Sequence, residues 1–454
     1  MRPFPSALLA GLIAAMPAAH AEAPDTTRHQ AQVDQLVKQI SPQHIEAYIR
    51  KLASFQTRHT MSDTTSTTTG IGAARRWIKA ELERCGAGAN GRLQVSYDSH
   101  ITPISARISK PTEIVNVLAT LPGTQAASKD RMYIVSGHYD TRNTDIMDAT
   151  GLQPGANDDA SGTAAVMEMA CVMAREKFDA TIVFMAVAAE EQGLLGAAHV
   201  AEVAKENHWN VAGMFTNDII GSSRGDDGRV DKTQVRLFAE GLPNTKEMSD
   251  ANRLLLATGG ENDSLSRNLA RHVKEVGERY VPDFKVNVIQ RRDRYLRGGD
   301  HMPFLERGYA ALRFTEPAED FNHQHQNVRV ENGVKIGDLI EYDDFDYIAQ
   351  VARVNTAALA TLALAPAAPQ QVKLLTSKLE NDSTLTWQAN GEPDLAGYRI
   401  VWRDTTAATW QGAQYVGNVT HATVKLSKDN VFFGVEAIDK DGNASVATYP
   451  APQR

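Results

Sequence analysis

The sequence predicts an α/β protein with a mixed, mostly parallel sheet flanked by helices, followed by a small all-β sandwich. Two observations carry this prediction. Between Ile114 and Leu364, short β-rich runs alternate with helical patterns, the spacing of strand–helix–strand units that build parallel sheets. Beyond Pro369 the helical patterns stop and short alternating runs bounded by Gly, Asn, Asp and Pro take over. The chain has 454 residues, 42% hydrophobic and 22% charged, values that exclude disorder and a polytopic membrane protein.

At the start, Arg2 precedes an apolar run from Ala7 to Ala19, and Ala19-His20-Ala21 fits a small-residue cleavage site. Residues 1–21 therefore read as a signal peptide. The run is shorter than the ~20 apolar residues that span a bilayer, so a secreted or periplasmic chain without a membrane span after cleavage is expected. Gln43 to Phe55 carries Ile45, Tyr48, Ile49 and Leu52 on one helix face, and a second helix is expected over Ala73–Leu82, after a Thr-rich loop from Thr60 to Thr69. The runs IVNVLATL, MYIVSGHYD, TIVFMAVAAEE and AGMFTNDIIG are strands, with a helix from Ser161 to Lys177 between the second and third. A last strand over Tyr309–Phe314 and a helix from Asp344 to Leu364 close a domain covering residues 22–364. Ala365 to Pro369 reads as a linker. Residues 370–454, with Trp387 in an early strand, Tyr398 and Trp402 in the next and FFGVEAIDKDGNAS as a late hairpin, resemble a fibronectin type III domain.

Lys plus Arg number 47 against 55 Asp plus Glu, a net charge of -8, so nothing advertises nucleic acid. The two cysteines, Cys85 and Cys171, exclude a disulfide framework and a thiolate zinc site. They either pair with each other or stay as two buried thiols. Any metal must then be held by His and carboxylate, and these collect where strands end, the usual ligand position in an open α/β sheet. MYIVSG runs into His138 and Asp140, TIVFMAVAA into Glu190 and Glu191, and VAGMFTN into Asp218. PGANDDASGTAA presents Asp158 and Asp159 before a helix expected to be capped by Ser161, and FNHQHQ supplies His323 and His325. Zinc accepts imidazole and carboxylate, and a pair of zinc ions bridged by one carboxylate needs a further carboxylate outside the ligand set to move protons. Adjacent Glu190 and Glu191 can divide those two roles.

The ordered segments GHYDT, PGANDDASGTAA, AEEQGLLGA, TNDIIG and GGDHMPFLERGYAALRFTE resemble the secreted co-catalytic dizinc aminopeptidases of metallopeptidase family 28, clan MH, which also holds glutamate carboxypeptidases and glutaminyl cyclases. The resemblance covers roughly residues 114–360 and implies the zinc exopeptidase fold, two Zn2+ per chain, and peptides or small proteins as substrates. It implies His138, Asp158, Glu191, Asp218 and a late histidine as metal ligands, with Asp158 bridging, Glu190 as general acid/base and Asp140 behind His138. It also implies a cis peptide between Asp158 and Asp159. The family's last ligand normally lies in an HTxxD context, and this chain has FNHQHQNVR instead. Matching N-x-x-H from Asn322 favours His325, which is the expected ligand; matching a histidine with an acidic or amide residue four positions later favours the alternative, His323 with Asn327.

A dizinc centre sets the reaction and not the peptide end that is recognised. A carboxypeptidase or an amidase on the same scaffold, and an inactive binding protein, are the alternatives to an aminopeptidase. Asp300 reads as the cap of a short helix holding Pro303 in its first turn, RRDRYLR as a solvated loop, and Met167, Met169 and Met173 as core.

Overall fold

The computed structural model describes residues 23–243 and 248–454; the proposed signal peptide lies outside them. Helices α1 (Ala31–Gln39), α2 (Pro42–Ala53) and α3 (Gly70–Ala87) lead in. Pro42 at the first position of α2 and Ser41 Oγ accepting from the His44 amide start that helix as its sequence dictates. Strands β1 (Gln94–Thr102), β2 (Thr112–Leu121) and β3 (Arg131–His138) follow, then α4 (Gly162–Met173), β4 (Thr181–Val187), α5 (Leu195–Glu206) and β5 (Asn210–Asn217). Next come β6 (Gln234–Ala239), α6 (Asp250–Ala257), α7 (Leu265–Tyr280), β7 (Lys285–Ile289), α8 (Met302–Glu306) and β8 (Ala311–Thr315). A short hairpin of β9 (Arg329–Glu331) and β10 (Val334–Ile336) precedes α9 (Phe345–Leu364).

Eight strands form one sheet in the order β1-β2-β4-β3-β5-β8-β6-β7. Its centre, β4-β3-β5-β8, is parallel, and antiparallel pairs flank it at β1/β2, β2/β4 and β8/β6. All seven residues of β4 are buried, as expected of a strand covered on both faces. One face packs against α1 to α4, α7 and α9 through residues such as Ile49, Met167, Val273 and Val354, and the other against α5 and α8 through Val200, Ala204 and Phe304. The predicted methionines of α4 are core. Register sets His138 of β3 against Val187 of β4, and Asn217 of β5 against Phe314 of β8, so the parallel strands end in one row. Cys85 of α3 and Cys171 of α4 form a disulfide.

After α9 come β11 (Lys373–Leu375), β12 (Ser383–Thr386), β13 (Leu395–Asp404), β14 (Gly412–Gly417), β15 (His421–Val424), β16 (Val431–Asp439) and β17 (Ala451–Gln453). They form a four-stranded sheet, β15-β12-β11-β17, and a three-stranded one, β14-β13-β16. Leu385, Trp387, Tyr398, Ile400, Phe433 and Val435 share one core between the two sheets. These sheets contact the larger body through buried charge: Arg403 of β13 reaches Asp263 at 2.6 Å. Among the described residues, no helix is long and apolar enough to cross a membrane.

Candidate metal centre

The strand ends bring the expected residues together. His138 closes β3, Glu190 and Glu191 follow β4, Asp218 follows β5, and Asp158 lies in the wide turn Ala156–Ser161 that enters α4. His138 Nε2 lies 3.0 Å from Asp158 Oδ1 and 4.0 Å from Asp218 Oδ1. His325 Nε2 lies 2.8 Å from Asp158 Oδ2 and 2.9 Å from Glu191 Oε1. Two donor groups result, His138–Asp158–Asp218 and Asp158–Glu191–His325, each compact enough to hold a metal ion, and they share Asp158. The two late histidines lie in different places: His325 faces the donor groups. His323 stacks on Tyr342 at 3.5 Å and pairs with Asp320 at 3.1 Å, away from this cluster.

The backbone explains why adjacent residues serve different sides. Ala189 and Ile219, flanking the Glu190–Glu191 pair and Asp218, have φ of 60° and 58°, and His325 itself has φ of 53°. Non-glycine residues seldom adopt this left-handed conformation, which is concentrated at functional sites. The Asp158–Asp159 peptide is cis, as the resemblance implied.

Asp140 organises the Glu190–Glu191 turn by accepting the Glu190 amide at 3.2 Å and the Glu191 amide at 3.1 Å. Its relation to His138 differs from the expected carboxylate contact. His138 Nδ1 lies 3.2 Å from the Asp140 backbone oxygen and 3.5 Å from the carboxylate, because that carboxylate is occupied by the two amides. Two further expectations are corrected. The side chain that receives the first free amide of α4 is Asp159, which accepts from Gly162 at 2.9 Å and from the His138 amide at 2.9 Å; Ser161 Oγ instead donates to the Asn157 carbonyl. Asp300 does not cap α8: it is 1% exposed and neither carboxylate oxygen has a hydrogen bond among the described residues. Burial, with Asp140 and Asp218 adding to it against His138, pushes Asp300 up to about 8.

Several supporting residues escaped the sequence reading. Asp338 accepts the Asn157 amide at 2.7 Å and the Asp158 amide at 2.8 Å, fixing the turn that presents the shared carboxylate. Arg313 reaches Asp218 at 2.9 Å and Asp293 at 3.1 Å. Arg58, fully buried, donates to the carbonyls of Leu52, Tyr139, Pro154 and Gly155. Their only sequence signal was a charged residue inside an otherwise apolar or turn-like run.

Burial raises the Glu190 carboxyl, and the nearby Asp218, Glu191 and Asp300 raise it further against His138, so it stands well above the ordinary carboxylate range. Buried Glu319 shows the opposite sign. Against burial, Arg294, Arg236 and Arg297 hold it down to about 2 from the ordinary 4.5. A depressed value means stability that is complete above pH 4.5 and lost as the pH falls toward 2. Glu319→Gln is expected to cost about 3 kcal/mol at pH 7. Urea denaturation at pH 7 and pH 3 checks this: the gap between wild type and variant shrinks at pH 3, and a gap of equal size at both contradicts the clamp.

A family model for peptidase family M28 matches residues 116–331, which hold every residue of the two donor groups. A protein of Leptosphaeria maculans named a probable zinc metalloprotease is 47% identical over 423 residues, covering 93% of this chain and 97% of its own length. The chain belongs to peptidase family M28. A second relative, from Pyricularia oryzae and also named a probable zinc metalloprotease, is 48% identical over 419 residues, 91% of this chain and 83% of its own. Among solved structures, LapA of Legionella pneumophila superposes with a TM-score of 0.54 at 20% identity over 74% of this chain and 77% of its own, which shows a shared fold.

Proposed function

We propose that this M28 peptidase is an exported dizinc exopeptidase that releases N-terminal residues from peptides and small proteins. The observation that carries it is the shared carboxylate: Asp158 turns one oxygen toward His138 and the other toward His325, at 3.0 and 2.8 Å. Its donor set, two imidazoles and three carboxylates, suits zinc, and buried Glu191 Oε1 and His325 Nε2 converge to 2.9 Å beside Asp158. The relatives' name supports the metal. Bound there, zinc supplies an activated water and a polarised carbonyl. His138 and Asp218 would hold one ion, Glu191 and His325 the other, and Asp158 both. Glu190, in neither donor group, takes the proton from water and passes it to the leaving amine. Asp140 positions Glu190 and Glu191 through their amides.

The assignment to the amino end rests on the ordered motifs of the sequence. A carboxypeptidase on the same centre is the second reading, favoured by arginines at the mouth of the cleft. Export is supported by the Cys85–Cys171 disulfide, since such bonds persist in oxidising compartments. The paired C-terminal sheets with Trp387 in their core support a fibronectin type III-like accessory domain over residues 370–454. A peptide assayed with free ends, N-acetylated and C-amidated tests the reading. Acetylation is expected to abolish cleavage, amidation to be tolerated, and a chelator to stop turnover. The reverse end-dependence makes it a carboxypeptidase, and no cleavage by zinc-replete protein overturns both.

A further inference from the structure

The cleft above the donor groups is a cavity of about 700 Å³ whose wall carries an unusual charge balance. Six arginines line it: Arg107, Arg142, Arg291, Arg292, Arg294 and Arg297. Three have acidic partners. Arg292 meets Glu306 at 3.1 Å, and Arg294 and Arg297 each meet Glu319 at 3.0 Å. Arg107, Arg142 and Arg291 have no acidic partner among the described residues.

The acids of the wall are already committed. Asp158, Glu190, Glu191 and Asp218 form the centre itself, and Asp293 is held by Arg313 and Arg294 at 3.1 Å each. Outside the centre, the wall's one carboxylate, Asp293, is already paired, whereas three guanidinium groups are open to an anion. Each is also anchored. Arg107 Nη1 donates to the Glu191 carbonyl at 2.9 Å, which sets it directly beside the donor groups. Arg142 Nε donates to the Asn143 carbonyl at 3.1 Å. Arg291 donates to the Tyr295 hydroxyl at 3.0 Å and lies 3.9 Å over that ring. A guanidinium has five N–H donors in a planar fork, so one anchoring bond orients it and leaves the rest for a carboxylate.

From this we infer that the mouth of the site is a carboxylate subsite and that the enzyme selects peptides bearing a negative charge close to the cleaved bond. The inference deepens the hydrolase reading and rests on its placement of the centre. The carboxylate can come from an acidic side chain or from the free end of a short peptide.

Three tripeptides separate these sources: Ala-Leu-Gln amide, Ala-Leu-Glu amide and Ala-Leu-Gln with a free terminus. Binding is measured by calorimetry on the zinc-loaded full chain carrying Glu190→Gln, so that the peptides survive. At least one carboxylate peptide is expected to bind about tenfold tighter than the neutral amide at low salt, with the gain shrinking at high salt. The peptide that gains identifies the source. Replacing Arg107, Arg142 and Arg291 together by Gln removes the gain, and Arg291→Gln alone, on an exposed loop, removes a share of it. Equal affinities for all three peptides, or a gain kept by the triple variant, overturns the subsite. Preference in binding without cleavage by the wild type would leave the subsite standing and sink the hydrolase reading; cleavage without preference does the reverse.

Discussion

Glu190→Gln is expected to lower turnover about a thousandfold while the protein keeps its full zinc content. Glutamine fills the same volume but cannot accept a proton, so the substitution removes one function and little shape. The geometry says why zinc should stay. Glu190 belongs to neither donor group, and it is its backbone that is tied down: the amide donates to Asp140, and the carbonyl accepts from the Gly193 and Leu194 amides at 2.9 Å each. The left-handed turn at Ala189 aims it apart from Glu191, which faces His325. Burial, with neighbouring carboxylates adding to it, raises its proton affinity, the direction that helps a carboxyl to take a proton and hand it on. Metal analysis beside steady-state kinetics checks this. Near-wild-type turnover in a zinc-replete variant would remove Glu190 from the mechanism.

Arg58→Met is expected to destabilise the fold by at least about 4 kcal/mol and to weaken zinc binding, although Arg58 touches no ligand. Its guanidinium donates to Tyr139 O at 2.7 Å, Gly155 O at 2.9 Å, Leu52 O at 3.0 Å and Pro154 O at 2.5 Å. Methionine fills the volume and satisfies none of these, and each buried acceptor left bare costs about 1 to 3 kcal/mol. The effect reaches the centre by two routes. Tyr139 sits between His138 and Asp140, and Gly155 opens the turn that presents Asp158. Arg58 also offsets the charge of Asp338, Asp140, Asp159 and Asp158. Denaturant midpoints and zinc affinity of Arg58→Met and Arg58→Lys give the test. Lysine should recover only part of the loss, and a methionine variant with wild-type stability and zinc affinity contradicts the role.

The parallel centre of the sheet was legible because its strands are continuous apolar runs, and the donor residues because they follow those runs directly. Strand β1 escaped: QVSYDSHIT lies on an exposed edge and shows no clean alternation. Helix α7 was overlooked although Leu269, Val273, Val276 and Tyr280 line its buried face. The sequence also left open whether His323 or His325 completes the site, since both stand in one loop and only the positive φ at His325 turns it inward. Asp338 and Arg313 could not be linked to Asp158 and Asp218 by spacing. Asp158 and Asp338 stand 180 positions apart, and both contacts exist only after the sheet and the β9–β10 hairpin form. Asp300 was misread because a carboxylate before a Pro-containing turn looks like a cap.

The most direct test of the account is a zinc titration of chelator-stripped protein, following release of the N-terminal residue from a peptide. The account predicts activity that rises with added zinc and levels off at two ions per chain. Full activity without bound zinc, or a plateau at one ion, would contradict a centre built on the shared carboxylate of Asp158.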